Sequence, residues 1–255
     1  MRIIVTRPAA QAADWVARLQ ARGIDAVALP LIGIAPVEDG AALAAAWLTL
    51  QRQRLVVFVS PNAAGQFFAR RAPPSAWPAN VLAASPGPGT TRLLVELGVP
   101  AAQIVEPAAD AAQFDSESLW LQLSTRDWHG ADVLIVRGDA GRDWLVETLR
   151  SHGARVATVA AYRRVAPTFD EPAAALLRAA IERPQSHLWF FSSSEAIDNL
   201  AAAVPQAAVA GGLRGRAIAT HPRIAARARQ LGFAPVIESR PALDDVVACI
   251  QSLRP

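Results

Sequence analysis

Three segments of this chain recur in similar form about 130 residues later. The corresponding pairs are residues 2–8 with 133–138, 56–63 with 188–196, and 87–99 with 219–233. Arg7 and Arg137 are 130 positions apart, and Gly98 and Gly232 are 134 apart. This period is too long for a solenoid, whose repeating unit has roughly 20–50 residues. The repetition therefore predicts two similar α/β domains, and two domains can enclose a ligand in a cleft.

The length and composition agree with a two-domain protein. A chain of 255 residues corresponds to roughly 1.7 domains of average size. Its apolar stretches are far shorter than the ~20 residues that a membrane-spanning helix needs. The first eight residues turn polar too soon for a signal peptide. A single cysteine, Cys249, excludes an internal disulfide and a cysteine-cluster metal site. We therefore expect a cytoplasmic protein with no membrane partner.

The charged residues argue against a nucleic-acid partner. The chain has 25 basic and 22 acidic residues, and every fixed cation is an arginine. No basic run exceeds two residues, so an extended groove for nucleic acid is not expected. None of the four histidines lies three or four residues from another, so the usual spacing of metal ligands is not met. Dinucleotide and Walker motifs are absent. We expect neither metal nor cofactor.

The repeating unit is an apolar run, a polar turn and a segment of helical period. Residues 2–6 predict a strand buried on both faces, as in parallel sheets. Pro8 suits a first helical turn, and Gly23 and Gly153 are expected to end helices. The alternation of strands and helices predicts parallel sheets flanked by helices, in Rossmann-like or flavodoxin-like domains.

Two short segments bounded by proline predict the domain boundaries. Residues 29–36 and 161–167 lie at equivalent points of the repeat. We interpret them as two antiparallel linker strands. The first domain would then combine residues 1–33 with 168–255, and the second would span 37–160. Tandem halves divided near residue 130 are a second arrangement that the sequence allows.

The polar turns after the predicted strands are candidate binding sites. In open parallel sheets, ligands bind beyond the carboxyl ends of the strands. Turns that open helices there offer free N–H groups to anions, although Ser, Thr and Asn are also ordinary helix caps. Six such turns favour a polyanionic ligand. The candidate residues are Arg7, Ser60, Asn62, Gly87, Gly89, Thr90, Arg137, Gly138, Arg142, Ser192, Ser193, Thr220 and His221.

Several polar residues admit two interpretations each. Arg137 and Arg142 could bind a ligand carboxylate or pair with neighbouring aspartates, Asp139 or Asp143. His221 begins a predicted helix, where it could contact a ligand or cap the helix. In addition, residues 192–195 have the spacing of a capping box, with a hydroxyl followed three residues later by a glutamate.

Tyr162 is the only tyrosine and lies in a predicted linker strand. A phenol near a hinge could donate a proton to a ligand, and it could equally be a packing residue. The sequence pattern alone leaves both roles open.

Taken in order, the segments resemble the uroporphyrinogen-III synthase family. The matching segments are Val5-Thr6-Arg7-Pro8 with Gln11, residues 30–34, Val57-Phe58-Val59-Ser60-Pro61-Asn62-Ala63, Gly87-Pro88-Gly89-Thr90, Asp115-Ser116-Glu117, residues 133–138 with Gly141-Arg142, Tyr162-Arg163-Arg164, residues 191–196 with Asn199-Leu200, and His221-Pro222-Arg223-Ile224-Ala225. The match covers essentially the whole chain. The sequence departs from the family pattern at Pro86 and Thr91, where small or aliphatic residues are more usual, and at Val59, where many members have threonine.

The resemblance implies a fold and a reaction. The fold is two α/β domains with a two-stranded linker, and the first domain is built from both chain ends. The reaction closes hydroxymethylbilane, a linear tetrapyrrole with eight carboxylates, to uroporphyrinogen III. Water is lost and ring D is inverted, without a cofactor, in haem biosynthesis. The resemblance further implies a monomer that makes transient contact with the preceding pathway enzyme.

The resemblance also assigns roles to particular residues. Tyr162 aligns with the family's conserved tyrosine and would be the general acid. Ser60, Thr90, Ser193 and Thr220 would contact the substrate. The two alternatives to this function are a two-domain cytoplasmic protein that binds a small polyanion and an enzyme similar to nucleotide-sugar glycosyltransferases.

Overall fold

The computed structural model describes residues 1–71 and 76–253, with the backbone alone for residues 207 and 208. Strands and helices alternate along most of the chain. The strands are β1 (Arg2–Val5), β2 (Ala26–Ala28), β3 (Gly33–Pro36), β4 (Leu55–Phe58), β5 (Leu82–Ala84), β6 (Ile104–Val105), β7 (Asp132–Gly138), β8 (Arg155–Val165), β9 (His187–Phe191), β10 (Arg216–Ala219) and β11 (Val236–Glu238). The helices are α1 (Ala9–Gln20), α2 (Ala41–Leu48), α3 (Pro61–Phe68), α4 (Pro88–Glu96), α5 (Ser116–Leu123), α6 (Trp144–Ser151), α7 (Glu171–Glu182), α8 (Ser194–Ala203), α9 (Gln206–Ala210), α10 (Pro222–Gln230) and α11 (Leu243–Ser252).

The chain forms two compact units. The first combines Met1–Gly33 with Val165–Pro255, and the second is Ile34–Arg164. The first unit contains a five-stranded sheet of order β11-β10-β9-β1-β2. All four neighbouring pairs in this sheet are parallel. Because β1 pairs with β9 as well as β2, the start of the chain lies inside a sheet that its last third completes.

The second unit contains a six-stranded sheet of order β3-β8-β7-β4-β5-β6. The pairs from β8 to β6 are parallel. The order β6-β5-β4-β7-β8 corresponds strand for strand to β11-β10-β9-β1-β2 of the first unit. The strands that share repeated sequence thus hold the same positions in the two sheets, and the prediction of parallel α/β sheets is confirmed.

The same turn follows four helices. Gly23, Gly98, Gly153 and Gly232 have φ values of 70°, 94°, 84° and 93°. Each glycine N–H donates to the carbonyl three residues earlier, and the next N–H reaches the carbonyl five residues before it. This is the Schellman arrangement, in which a left-handed residue satisfies the last carbonyls of a helix. The predicted helix stops at Gly23 and Gly153 are confirmed.

The central strands are buried on both faces, as continuous apolar runs predict. In β4, Leu55 and Val57 contribute to one hydrophobic cluster, whereas Val56 and Phe58 contribute to another. Strand β1 is buried from Ile3 to Val5. Each sheet therefore positions its strand ends rigidly, which matters because the candidate residues follow those ends.

The two segments interpreted as linker strands have different extents in the structure. The first is a strand only over Gly33–Pro36, and the second is the end of an eleven-residue strand that begins at Arg155. Strand β8 is this long because it pairs with β7 from Arg155 to Tyr162, and β3 lies beside it in the sheet. Within the described part of the chain, no helix is long and apolar enough to cross a membrane.

Candidate functional site

In the first unit, five candidate residues lie at one edge of the sheet. Arg7 follows β1, Ser192 and Ser193 follow β9, and Thr220 and His221 follow β10. These three strands are parallel neighbours, so their carboxyl ends lie side by side. The residues predicted from separate turns are therefore brought together within this unit.

The second unit has an equivalent edge. Ser60 and Asn62 follow β4, the glycine turn at Gly87 follows β5, and Gly138 ends β7. Tyr162 lies on β8 in register with Gly138. Because β8, β7, β4 and β5 are parallel neighbours, the tyrosine shares this edge with the hydroxyl and glycine turns.

The helices at these edges begin in different ways. Ser60 caps α3 by accepting a hydrogen bond from the Ala63 N–H at 3.2 Å. Nδ1 of His221 caps α10 by accepting from the Arg223 N–H at 3.1 Å. Gly87 precedes α4 and gives it no side-chain cap. The caps made by Ser60 and His221 are ordinary structural roles. Both side chains are only half-buried at the sheet edges.

The capping box predicted at residues 192–195 is absent. Helix α8 begins at Ser194, so the capping position falls on Ser193, and the Ser193 side chain makes no cap hydrogen bond. The box required Ser192 at that position, because its glutamate must be the third residue of the helix. The start of the helix one residue later breaks that spacing.

Tyr162 is buried, with 1% of its surface exposed. Its hydroxyl lies 3.1 Å from Oγ of Ser60, which is half-buried. The ring packs against Gly138, where an added Cβ would lie 3.1 Å from Cε2 and Cζ. The structure thus shows the packing role that the sequence allowed, and it also joins the phenol to a hydroxyl at the sheet edge.

Both candidate arginines at the carboxyl end of β7 are engaged with carboxylates, Arg137 within the strand and Arg142 after it. Arg137 pairs with Asp143 and donates to the Gly141 carbonyl at 3.0 Å. Arg142 forms a bidentate ion pair with Glu117, in which Nη2 donates to Oε2 at 3.0 Å. The hydrogen bond from Arg142 to Glu117 raises the pKa of Arg142 above its usual value. A substrate carboxylate would therefore have to compete with these partners.

Arg7 is held in an aromatic cradle. Its guanidinium carbon lies 5.0 Å from the Trp15 ring centroid and 5.7 Å from that of Phe190. Nη1 donates to Gln11 at 3.3 Å, and among the described residues buried Nε has no hydrogen-bond partner. Burial, followed by the charge of Arg18, lowers the pKa of Arg7 to about 10. Arg7 is therefore still charged at neutral pH.

Sequence reasoning missed the partners of these groups. The sequence gives no sign that Glu117 pairs with Arg142 or that Phe190 packs against Arg7. Ser85, 0% exposed and next to the glycine turn, was not singled out. Across the described ranges, no group of three or more His, Cys, Asp or Glu residues is placed to hold a metal ion.

Comparison with known proteins identifies the family. A family model described as uroporphyrinogen-III synthase HemD matches residues 13–248. A mutant uroporphyrinogen III synthase from Thermus thermophilus superposes with a TM-score of 0.59, at 16% identity, over 99% of this chain and 98% of that one. Uroporphyrinogen-III synthetase from Helicobacter pylori gives a TM-score of 0.58, at 16% identity, over 100% of both chains. At this identity the structures show a shared fold, whereas the family model spans most of the sequence. The chain belongs to the uroporphyrinogen-III synthase family.

Proposed function

We propose that this protein closes hydroxymethylbilane to uroporphyrinogen III and that the two sheet edges carry the residues that bind the substrate. The family match supports the reaction. The hydrogen bond between the Tyr162 phenol and Ser60 is the observation that supports the catalytic assignment. The comparisons do not favour a small-polyanion binding protein or a glycosyltransferase.

The proposed binding residues suit a substrate with eight carboxylates. Arg7 supplies a positive charge at one edge, and the turns that open α4, α8 and α10 supply N–H groups near the positive ends of helices. The residues proposed to contact the substrate are Arg7, Ser60, Asn62, Gly87, Gly89, Thr90, Arg137, Gly138, Arg142, Ser192, Ser193, Thr220 and His221. Arg137 and Arg142 would exchange their protein carboxylates for those of the substrate.

The proposed chemistry needs one proton at the start. The substrate hydroxyl leaves as water when it is protonated, and the remaining cation is an azafulvene. Attack on it by the substituted carbon of ring D gives a spiro intermediate. This rearranges to the inverted ring and releases one proton, which restores the proton donor. Tyr162 is buried, whereas Ser60 is half-buried, so we assign the substrate contact to Ser60 and the supply of the proton to Tyr162. Orientation of the flexible substrate accounts for the rest of the catalysis.

The experiment that tests the function is an isomer assay. The protein, dialysed exhaustively against a chelator because the proposed mechanism uses no cofactor, is incubated with hydroxymethylbilane, and the oxidised products are separated. We expect type III to dominate, whereas spontaneous closure in the enzyme-free control gives type I. A product mixture identical to the control would contradict the proposal.

Arg7→Met should weaken substrate binding without loss of stability. Methionine preserves the apolar contact with Trp15. It also removes a half-buried charge whose buried Nε has no hydrogen-bond partner among the described residues, which is costly to retain. We expect the midpoint of thermal unfolding to stay the same or rise, and the apparent KM to increase about tenfold, as for loss of a charged hydrogen bond.

The matched control for Arg7 is Arg18→Met. Arg18 lies 5.6 Å from the same Trp15 ring, but it is on α1 and pairs with Asp14. We expect its KM to equal that of the wild type. Equal KM values for the two methionine variants would show that Arg7 does not bind substrate.

Thr90→Val and Thr220→Val should each raise the apparent KM modestly. Both threonines are buried, with 4% and 8% of their surfaces exposed, and valine has nearly the same shape. Loss of one neutral hydrogen bond to substrate costs about 0.5–1.5 kcal/mol, which corresponds to about a 2- to 13-fold weaker affinity. Steady-state kinetics of the single and double variants provide the measurement. Unchanged kinetics in the double variant would leave both residues as helix-start residues only.

A further inference from the structure

A chain of hydrogen bonds surrounds the glycine turn of the second unit. Ser85 follows β5, Thr91 lies in the first turn of α4, and Glu106 follows β6. Oγ of Ser85 is 2.8 Å from Oγ1 of Thr91, which is 2.7 Å from Oε2 of Glu106. The turn of residues 87–90 lies between the first two of these residues in the sequence. Thr91 is also one of the positions at which the sequence departs from the family pattern.

The number of hydroxyl protons determines which groups donate in this series of hydrogen bonds. An ionised Glu106 can only accept, so the single hydroxyl proton of Thr91 is donated to it. Ser85 must then donate its proton to Thr91 across the 2.8 Å contact. The Gly87 carbonyl, 3.2 Å from Ser85, already accepts the N–H groups of Thr90 and Thr91 at 3.0 and 3.2 Å. Ser85 therefore donates to Thr91, and Thr91 donates to Glu106.

The turn has few other restraints of its own. Gly87 and Gly89 have no side chains, and α4 has no side-chain cap. Ser85 is completely buried, and its N–H donates to the Val105 carbonyl at 3.0 Å, which fixes one end of the turn on the sheet. Through Thr91, the same serine also holds the start of the helix. The hydrogen bonds of Ser85 and Thr91 thus connect the end of β5 with the first turn of α4 on either side of Gly87.

We propose that Thr91, held by Ser85 and Glu106, is a positioning residue that orients the turn of residues 87–90 toward the substrate. This assignment rests on the proposed function, because the turn is one of the proposed substrate contacts. Thr91 acts through the backbone of the turn and does not itself touch the substrate.

The test compares Thr91→Val with Thr91→Ser. Valine keeps the shape and removes the hydroxyl. We expect the KM for hydroxymethylbilane to rise about 3- to 10-fold, because the turn loses two hydrogen bonds but keeps its backbone contacts, while kcat stays within about twofold. Serine keeps the hydroxyl and should restore the wild-type KM. Ser85→Ala should raise the KM similarly, and the double variant Ser85→Ala/Thr91→Val should be no worse than either single variant.

The control is Thr148→Val, which removes a helical threonine hydroxyl that donates to the Trp144 carbonyl at 2.7 Å. We expect its kinetics to match the wild type.

If Thr91→Val fails to fold, Glu106→Ala tests the same assignment, because it removes only an exposed carboxylate. A rise in its KM would support the positioning role, and a wild-type KM would overturn it. An active wild type with an unchanged KM in Thr91→Val would overturn the positioning role alone. A wild type that forms no type III isomer would overturn the proposed function and this assignment with it.

Discussion

Replacing Tyr162 with phenylalanine should lower turnover of hydroxymethylbilane about 10- to 100-fold with little change in KM. General-acid help is worth about 10²- to 10⁴-fold. We expect the lower part of that range, or less, because the hydroxyl leaves readily and closure also occurs without enzyme. The ring still packs against Gly138, so the fold should lose only the hydrogen bond to Ser60, about 0.5–1.5 kcal/mol.

Ser60→Ala tests whether the two hydroxyls act together. If the proton passes from Tyr162 through Ser60, each single variant should lose a similar factor in kcat, and the double variant should lose little more than either. Ser60 also caps α3, so thermal unfolding must be measured, and Ser60→Thr, which keeps both the hydroxyl and the cap, should recover activity. The isomer ratio should still favour type III, because many contacts orient the substrate. Wild-type kcat in Tyr162→Phe would leave this tyrosine as a packing residue.

The parts of the fold that the sequence predicted are those determined by local patterns. The predicted strand at residues 2–6 forms over Arg2–Val5, buried from Ile3, because its apolar run is continuous. Gly23 and Gly153 end helices because a left-handed residue is needed there. The length of β8 could not be predicted in the same way. Pairing with β7 carries the strand as far as Tyr162, past the start of the predicted linker at residue 161, and the sequence between Arg155 and Val165 shows no break there.

In the candidate site, too, the local features could be predicted from the sequence and the long-range contacts could not. Hydroxyl and glycine turns after strands were recognisable, because parallel strands collect such turns at one edge. The partners were not, because they lie far away in the sequence. Tyr162 and Ser60 are separated by 102 positions, and Arg142 and Glu117 by 25. Arg7 gave no sign that Phe190, 183 positions later, would form part of its surroundings.

Two glycines lie unusually close together in the first unit, and Gly232→Ala should destabilise that unit by about 2–5 kcal/mol. An added Cβ at residue 232 would lie 2.7 Å from Cα of Gly212, which is a backbone atom and cannot rotate away. Overpacking of this kind costs about 1–3 kcal/mol. The φ of 93° adds about 1–2 kcal/mol for an L-residue with a side chain. The free energy of unfolding from denaturant titration provides the measurement.

Gly23→Ala separates the two contributions. Gly23 ends α1 with the same hydrogen bonds and a φ of 70°, but no atom lies within 4 Å of its added Cβ. It should therefore lose only the conformational cost, about 1–2 kcal/mol. The difference between the two variants measures the steric cost of the approach between residues 212 and 232. Equal losses in stability would mean that the loop at Gly212 moves aside freely, and the close backbone contact would then have no role in holding the turn after α10 against the start of β10.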